Sequence, residues 1–212
     1  MKKDLIILAA DKDMKCTLDA LLKRNEALGI RKISFDVFVD TNHDPSCCRE
    51  GVAWLSNYRT RYEHALLMFD YKGCGFELEK PHDKLENDLN SQFSESVWNE
   101  NGRAVIIVPE LENWIWSASP HLPDVIGWTK QQNLLDWLRE TGKLNTGAIK
   151  PSEPKNAFMA ALNETQMPKS SSLFTDIAEK VSFKRCVDPA FLKLKEILRN
   201  WFPTNGGFSL QP

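Results

Sequence analysis

The sequence predicts an α/β fold: a mainly parallel sheet of at least four strands flanked by helices, with a helical C-terminal portion. Three observations carry this. Short apolar or β-branched runs alternate with segments of helical periodicity over the first half of the chain. The best-defined run, Ala104–Val108 within AVIIVPELENWIW, is apolar throughout, as a strand buried on both faces requires. After Trp116 no run of this kind recurs and only helical periodicity remains.

Taken in order, Asp4–Ala10 (DLIILAA) is a buried strand that delivers Asp11 and Asp13 at its end. Leu18, Leu21, Leu22 and Leu28 then recur at helical spacing, with Gly29 where a C-terminal cap belongs. Lys32–Asp40 (KISFDVFVD) alternates apolar and polar residues, which suits a strand toward the sheet edge. TNHDPSCC reads as a loop, and Gly51–Tyr62 as a helix with Val52, Leu55, Tyr58 and Tyr62 on one side. His64–Phe69 (HALLMF) is the third strand, ending at Asp70 and followed by a glycine-bearing turn, YKGCG. Residues 79–98 form a charged helix with Leu85, Leu89 and Phe93 inward. Ile6, Val37, Leu67 and Ile106 are the expected core of the four strands.

Pro109 stops the fourth strand because it lacks an N–H for the ladder. Beyond Trp116, helices are expected at Gln131–Glu140, at Ala157–Leu162 after KPSEPK, and from Ser170 onward with Phe174, Ile177 and Val181 inside. Asp188-Pro189 is a helix start, an acid at the cap and proline at the first turn, and Phe191, Leu194, Leu198 and Trp201 follow on one face. The expected organisation is a core over 1–117, a helical extension packed on it over 118–203, and a flexible tail, TNGGFSLQP, over 204–212.

Composition excludes several classes. The 212 residues, 42% hydrophobic and 26% charged, suit a globular protein. No apolar run approaches the roughly 20 residues of a membrane helix, so no membrane partner is expected. MKKD leads straight into a short strand, unlike a signal peptide. Five cysteines without repeating spacing make no disulfide framework, so a reduced, cytoplasmic protein is expected. The net charge of −2 hides an asymmetry: 16 Lys/Arg against 22 Asp/Glu over 1–138, then 11 against 7 over 139–212. An acidic front and a basic back suit a cation site in one and a polyanion contact in the other.

Ligands of parallel sheets bind beyond the carboxyl ends of the strands. Asp11 and Asp13, Asp70, and Glu110 and Glu112 fall there from three different strands, a set of oxygen ligands suited to Mg²⁺ or Mn²⁺. Such an ion would orient a phosphodiester and neutralise its charge. Lys150, Lys155 and Lys169 lie near helix starts, where phosphates bind, although solvated lysines fit each position too. His43, Asp44 and Cys47 are close enough in sequence for a transition metal, but no second cluster at ligand spacing supports one, and a turn held by Asp44 accounts for them better. Cys74, between glycines, has no histidine placed beside it to make it a nucleophile.

LIILAADKDMKCTLDALL, ALLMFDYKGCG and VIIVPELENWIW together resemble the three motifs of Toprim-like proteins, in the branch found among small bacterial defence proteins. That resemblance covers about residues 4–117. Over nearly the whole chain, including KPSEPK and the segment from Ser170 to Trp201, the sequence resembles the methylation-associated anti-phage defence family. The resemblance implies a Toprim-like sheet, divalent-metal chemistry on nucleic-acid phosphodiesters, and nucleic acid or other defence proteins as partners. It implies Asp11, Asp70 and Glu112 as catalytic acids, with Trp114 as the aromatic follower of Glu112.

Two departures bear on this. The acid of the first motif is Asp11 or Asp13 rather than glutamate, and the Asp-x-Asp of the second is Asp70-Tyr71-Lys72. Lys72 removes an oxygen ligand and adds a cation, which either pairs with Asp70 or meets a phosphate. The alternatives are therefore a nuclease and a non-catalytic subunit that keeps the fold to bind nucleic acid or a partner. A phospho-acceptor receiver domain, with Asp70 as acceptor, fits less well because no apolar strand precedes Lys150 and Glu110 and Glu112 would have no use.

Overall fold

A computed structural model describes residues 1–117, 119–180 and 186–204. In chain order the elements are β1 (Lys3–Ala9), α1 (Lys12–Lys23), α2 (Asn25–Leu28), β2 (Phe35–Val39), α3 (His43–Ser56), β3 (Tyr62–Asp70), α4 (His82–Glu95) and β4 (Gly102–Ile107). They continue as α5 (Glu112–Ile115), α6 (Leu122–Val125), α7 (Leu134–Glu140), α8 (Pro154–Glu164), α9 (Ser171–Lys180) and α10 (Pro189–Trp201). Among the described residues the four strands form one sheet, in the order β2-β1-β3-β4, with every pairing parallel.

Burial explains the strand patterns. Leu5–Ala9 of β1 and Ala65–Phe69 of β3 are buried without a break, as central strands covered on both faces must be. In β2 only Val37 is buried, so its alternation does mark an edge strand. Ile6, Val37, Leu67 and Ile106 all lie in the core. α9 packs along α1, while α10 meets β4 and α2, and Phe174 and Leu198 join the same hydrophobic cluster as the sheet. Among the described residues no helix is long and apolar enough to cross a membrane, and Cys16, Cys47, Cys48, Cys74 and Cys186 are free thiols.

The chain reverses direction across the sheet. From β1 it steps to β2 on one side, then crosses back to β3 on the other. The carboxyl ends of β1 and β3 therefore flank a topological switch point, the place where ligands of open parallel sheets bind. Asp11 and Asp70 emerge on either side of it.

The outer edge of β4 is closed by its neighbouring helix. Asn90 Oδ1 accepts from the Ala104 N–H at 3.0 Å and Glu86 Oε2 from the Ile106 N–H at 2.9 Å. Lys193 of α10 pairs with the other oxygen of Glu86.

The largest difference from expectation is at TNHDPSCC, which is mostly helix rather than loop: α3 begins at His43 and ends at Ser56. Asp44 and Pro45 suit its first turn, where negative charge and proline are favoured, although the cap residue is Asn42 and Asp44 instead accepts from the Asp70 N–H. Tyr62 opens β3 instead of closing a helix. α4 starts after Pro81, and α7 starts at Leu134, capped by Asn133. Val181 and the tail from residue 205 lie outside the described residues.

At the opposite end of β3 from the switch point, His64 stacks on Trp201 with ring centroids 4.5 Å apart and meets Phe202 edge-on at 5.1 Å. Its Nδ1 is buried with no partner among the described residues, and burial pushes the imidazole down to about 4. A base held below its ordinary value favours the folded state fully above about 6.5. That contribution is lost as pH falls through about 4. Between pH 7 and 4.5 the denaturant midpoint of the wild type should therefore fall more than that of His64→Phe. Parallel curves for the two proteins would show that His64 does not link folding to protons.

Candidate acidic site at the carboxyl edge of the sheet

Each strand end delivers its acid differently. Asp11 follows β1 in extended conformation and caps α1, its Oδ1 accepting from the Met14 N–H at 2.8 Å. Asp13, in the first turn of α1, accepts from Ser171 Oγ at 2.6 Å through Oδ1 and lies 2.8 Å from Lys169 Nζ through Oδ2. Asp70 closes β3, and its N–H donates to Asp44 Oδ1 at 2.8 Å. After β4 a cis Val108–Pro109 bond turns the chain, and α5 places Glu112 3% exposed.

Asp70 is the centre of this arrangement. Its Oδ1 is buried and has no hydrogen-bond partner among the described residues. Burial first, then the charge of Asp44, with lesser contributions from Glu112 and Asp11, raises its carboxyl well above the usual range, although the Leu111 N–H opposes this. Asp44 and Glu112 are raised as well, in both cases chiefly by burial. Lys155 and Lys169 only partly offset that effect at Glu112. The charges of Asp44, Glu112 and Asp11 thus all act on Asp70, whose Oδ1 is buried, where a carboxylate is costly.

Glu110 is buried but faces elsewhere. Its Oε1 accepts from the Lys155 N–H at the start of α8, 3.1 Å away, and its Oε2 is 3.8 Å from Lys72 Nζ. Lys72 turns outward and bridges to Glu153 at 2.7 Å, so it does not pair with Asp70. The α8 N-terminus is already occupied by a carboxylate of the same chain. Lys150 is also committed: it donates to the Asn113 carbonyl at 2.9 Å and lies 3.7 Å from Asp188. The Lys155 side chain stays exposed.

The aromatic residues after Glu112 are structural. Trp114 Nε1 donates to Asp188 Oδ1 at 2.9 Å and Trp116 Nε1 to the Pro154 carbonyl at 2.9 Å. His43 Nδ1 lies 3.2 Å from the Ala10 carbonyl, and Cys47 and Cys74 are buried thiols pushed up by burial, which weakens them as nucleophiles or ligands.

The structure therefore brings Asp11, Asp70 and Glu112 into one electrostatic group, adds Asp13 through Lys169, and leaves Glu110 in a separate network with Lys72 and Glu153. All-oxygen donors around an orphaned buried carboxylate oxygen match the chemistry of a hard cation. Yet among the described residues no three His, Cys, Asp or Glu side chains close up as a metal cage. Two contributors were given other roles from the sequence, Asp44 as a turn residue or transition-metal candidate and Lys169 as a phosphate contact. Asp44 lies in α3, beyond the end of β2, so the strand-end rule passes over it. Lys169 carries no sequence signal for its place, because only the packing of α9 on α1 brings it there.

No family model, curated protein or solved structure matches this chain.

Proposed function

We propose that this chain is a Toprim-like component of an anti-phage defence system, acting in the cytoplasm, with Mg²⁺- or Mn²⁺-dependent cleavage of nucleic-acid phosphodiesters at the acidic edge. The observation that carries this is the unpartnered Asp70 oxygen at the switch point, among the charges of Asp44, Asp11 and Glu112. When bound, a divalent ion supplies charge neutralisation for a phosphodiester. Asp11, Asp70 and Glu112 would hold it only by drawing together, since as they stand no three acids form a metal cage among the described residues. Lys155, exposed beside Glu112, would meet a neighbouring phosphate.

A second reading is a non-catalytic Toprim-like subunit that binds nucleic acid or a partner protein. The position of Lys169 favours it, because an ammonium already serves two of the acids.

Calorimetric titration with Mn²⁺ and a cleavage assay on single- and double-stranded DNA and RNA separate the two. The enzyme reading expects metal binding and cleavage in the wild type, with at least tenfold weaker binding in Glu112→Gln. Binding without cleavage supports the second reading, and equal heats in both proteins would remove Glu112 from the site.

A further inference from the structure

The helical extension carries a cleft of its own. The chain leaving α5, the start of α6, α7 and the turn at 147–149 enclose about 550 Å³. That volume falls within the roughly 300–1,000 Å³ of small-molecule sites. Its walls are mostly apolar: Trp116, Leu122 and Leu134 are buried, Leu135 is half-buried, and Ile149 lines the cleft while 74% exposed. The frame is fixed, since Trp116 Nε1 is held by the Pro154 carbonyl at 2.9 Å and Asn133 caps α7 on the Leu135 N–H at 2.8 Å. Other hollows suit a ligand less well. A void beside α1, lined by Leu21, Phe174 and Phe191, measures about 30 Å³, room for little more than water, and the groove over α4 is lined mostly by polar chains.

Two polar groups interrupt these apolar walls. Ser117 is 8% exposed, and its Oγ is buried with no hydrogen-bond partner among the described residues. Arg139 is the one charged residue lining the cleft among the described residues. It donates to Asp136 Oδ1 at 2.7 Å, an exposed pair on one helix of the kind that contributes little. The rest of its donor fork is left for an incoming anion.

We infer that this cleft binds a small carboxylate with an apolar body, its acid on Arg139 and its apolar part against Trp116, Leu134 and Leu135. Apolar walls with a few placed polar groups are what such sites present. A buried hydroxyl without a partner costs free energy until a ligand atom meets it, and Ser117 Oγ offers that bond. A carboxylate suits the cleft because an arginine fork takes its two oxygens side by side. No acid lines the cleft among the described residues to oppose that charge, and Arg139 disfavours a cation. The inference is independent of the acidic edge, whose carboxylates are not among the residues lining this cleft.

Calorimetric titration and saturation-transfer NMR of the full chain test this with octanoate, decanoate, phenylacetate and naphthoate, each beside its primary amide. At least one acid should bind saturably and more tightly than its amide. Arg139→Gln should weaken that acid by about tenfold, as loss of a charged hydrogen bond does, and leave the amide unchanged. Ile149→Asp should weaken acid and amide alike, and the position is exposed enough for the fold to tolerate it. Ser117→Ala should weaken the acid as well. No saturable binding by any of the acids, or equal affinity for them in wild type and Arg139→Gln, overturns the inference. Unchanged binding in both Ser117→Ala and Ile149→Asp would place the ligand elsewhere on the molecule and overturns it too.

Discussion

Asp70→Asn should give a protein that is more stable than wild type without metal and gains nothing from its addition. Asp70 is half-buried with its Oδ1 fully enclosed, and burial first, then the charge of Asp44, raises its carboxyl well above the usual range. A group raised in this way contributes stability that is complete below about pH 4, its unfolded range, and is lost as pH rises through the folded value. Asparagine has nearly the same shape and no charge, so the loss disappears. At pH 8 the variant should be more stable by about 1–2 kcal/mol, the usual size of such a relief at a functional position. At pH 4 the two proteins should converge. Saturating Mn²⁺ should reverse the order, since an ion bound only to the folded wild type at a hundredfold over its Kd adds about 2.7 kcal/mol. Urea denaturation at both pH values, with and without Mn²⁺, checks each part. Equal midpoints at pH 8 without metal would mean that Asp70 is not a stored cost.

The other large effect is expected at Asp188, where Asp188→Ala should destabilise the fold by about 3–5 kcal/mol, as removal of one side of a buried charged network does. Asp188 is 2% exposed and receives four hydrogen bonds. The Ala190 and Phe191 N–H groups cap α10 on Oδ1, Trp114 Nε1 shares that oxygen, and Asn113 Nδ2 meets Oδ2. Lys150 stands 3.7 Å away and would lose its counter-charge. The substitution thus uncaps a helix and strands the indole and ammonium at once. Thermal unfolding should show the loss, and near-ultraviolet circular dichroism should report the altered surroundings of Trp114. A loss under about 1 kcal/mol would reduce Asp188 to an ordinary helix cap.

The sheet was legible because its signals are local. Continuous apolar runs at Leu5–Ala9 and Ala65–Phe69 reflect burial on both faces, and the alternation of β2 reflects an edge. The start of α3 was misread because His43 and the paired cysteines resemble a loop, and because its cap residue, Asn42, makes no side-chain cap bond of the kind found at Asp188. At the site, periodicity and strand ends located Asp11, Asp70 and Glu112. They did not show where side chains point. Glu110 and Glu112 are two residues apart, yet one caps α8 and the other faces Lys169. Lys72 looked like a partner of Asp70 because it is two residues away, and it instead reaches Glu153 across 81 positions. Such choices depend on α8 and α9, whose placement is a matter of tertiary packing.

The side chains that α4 lays along β4 limit how this protein can assemble. An unprotected outer strand invites an extended segment of another molecule to add to the sheet, the route to open-ended polymers. Here the Ala104 and Ile106 amides are already engaged by Asn90 and Glu86, so a newcomer at these positions would have to break bonds before making any. Strand addition is therefore disfavoured along this flank while α4 stays folded. A companion protein that meets this side would do so through the outer surfaces of α4 and α10, as a reversible, finite complex and not as a growing fibre.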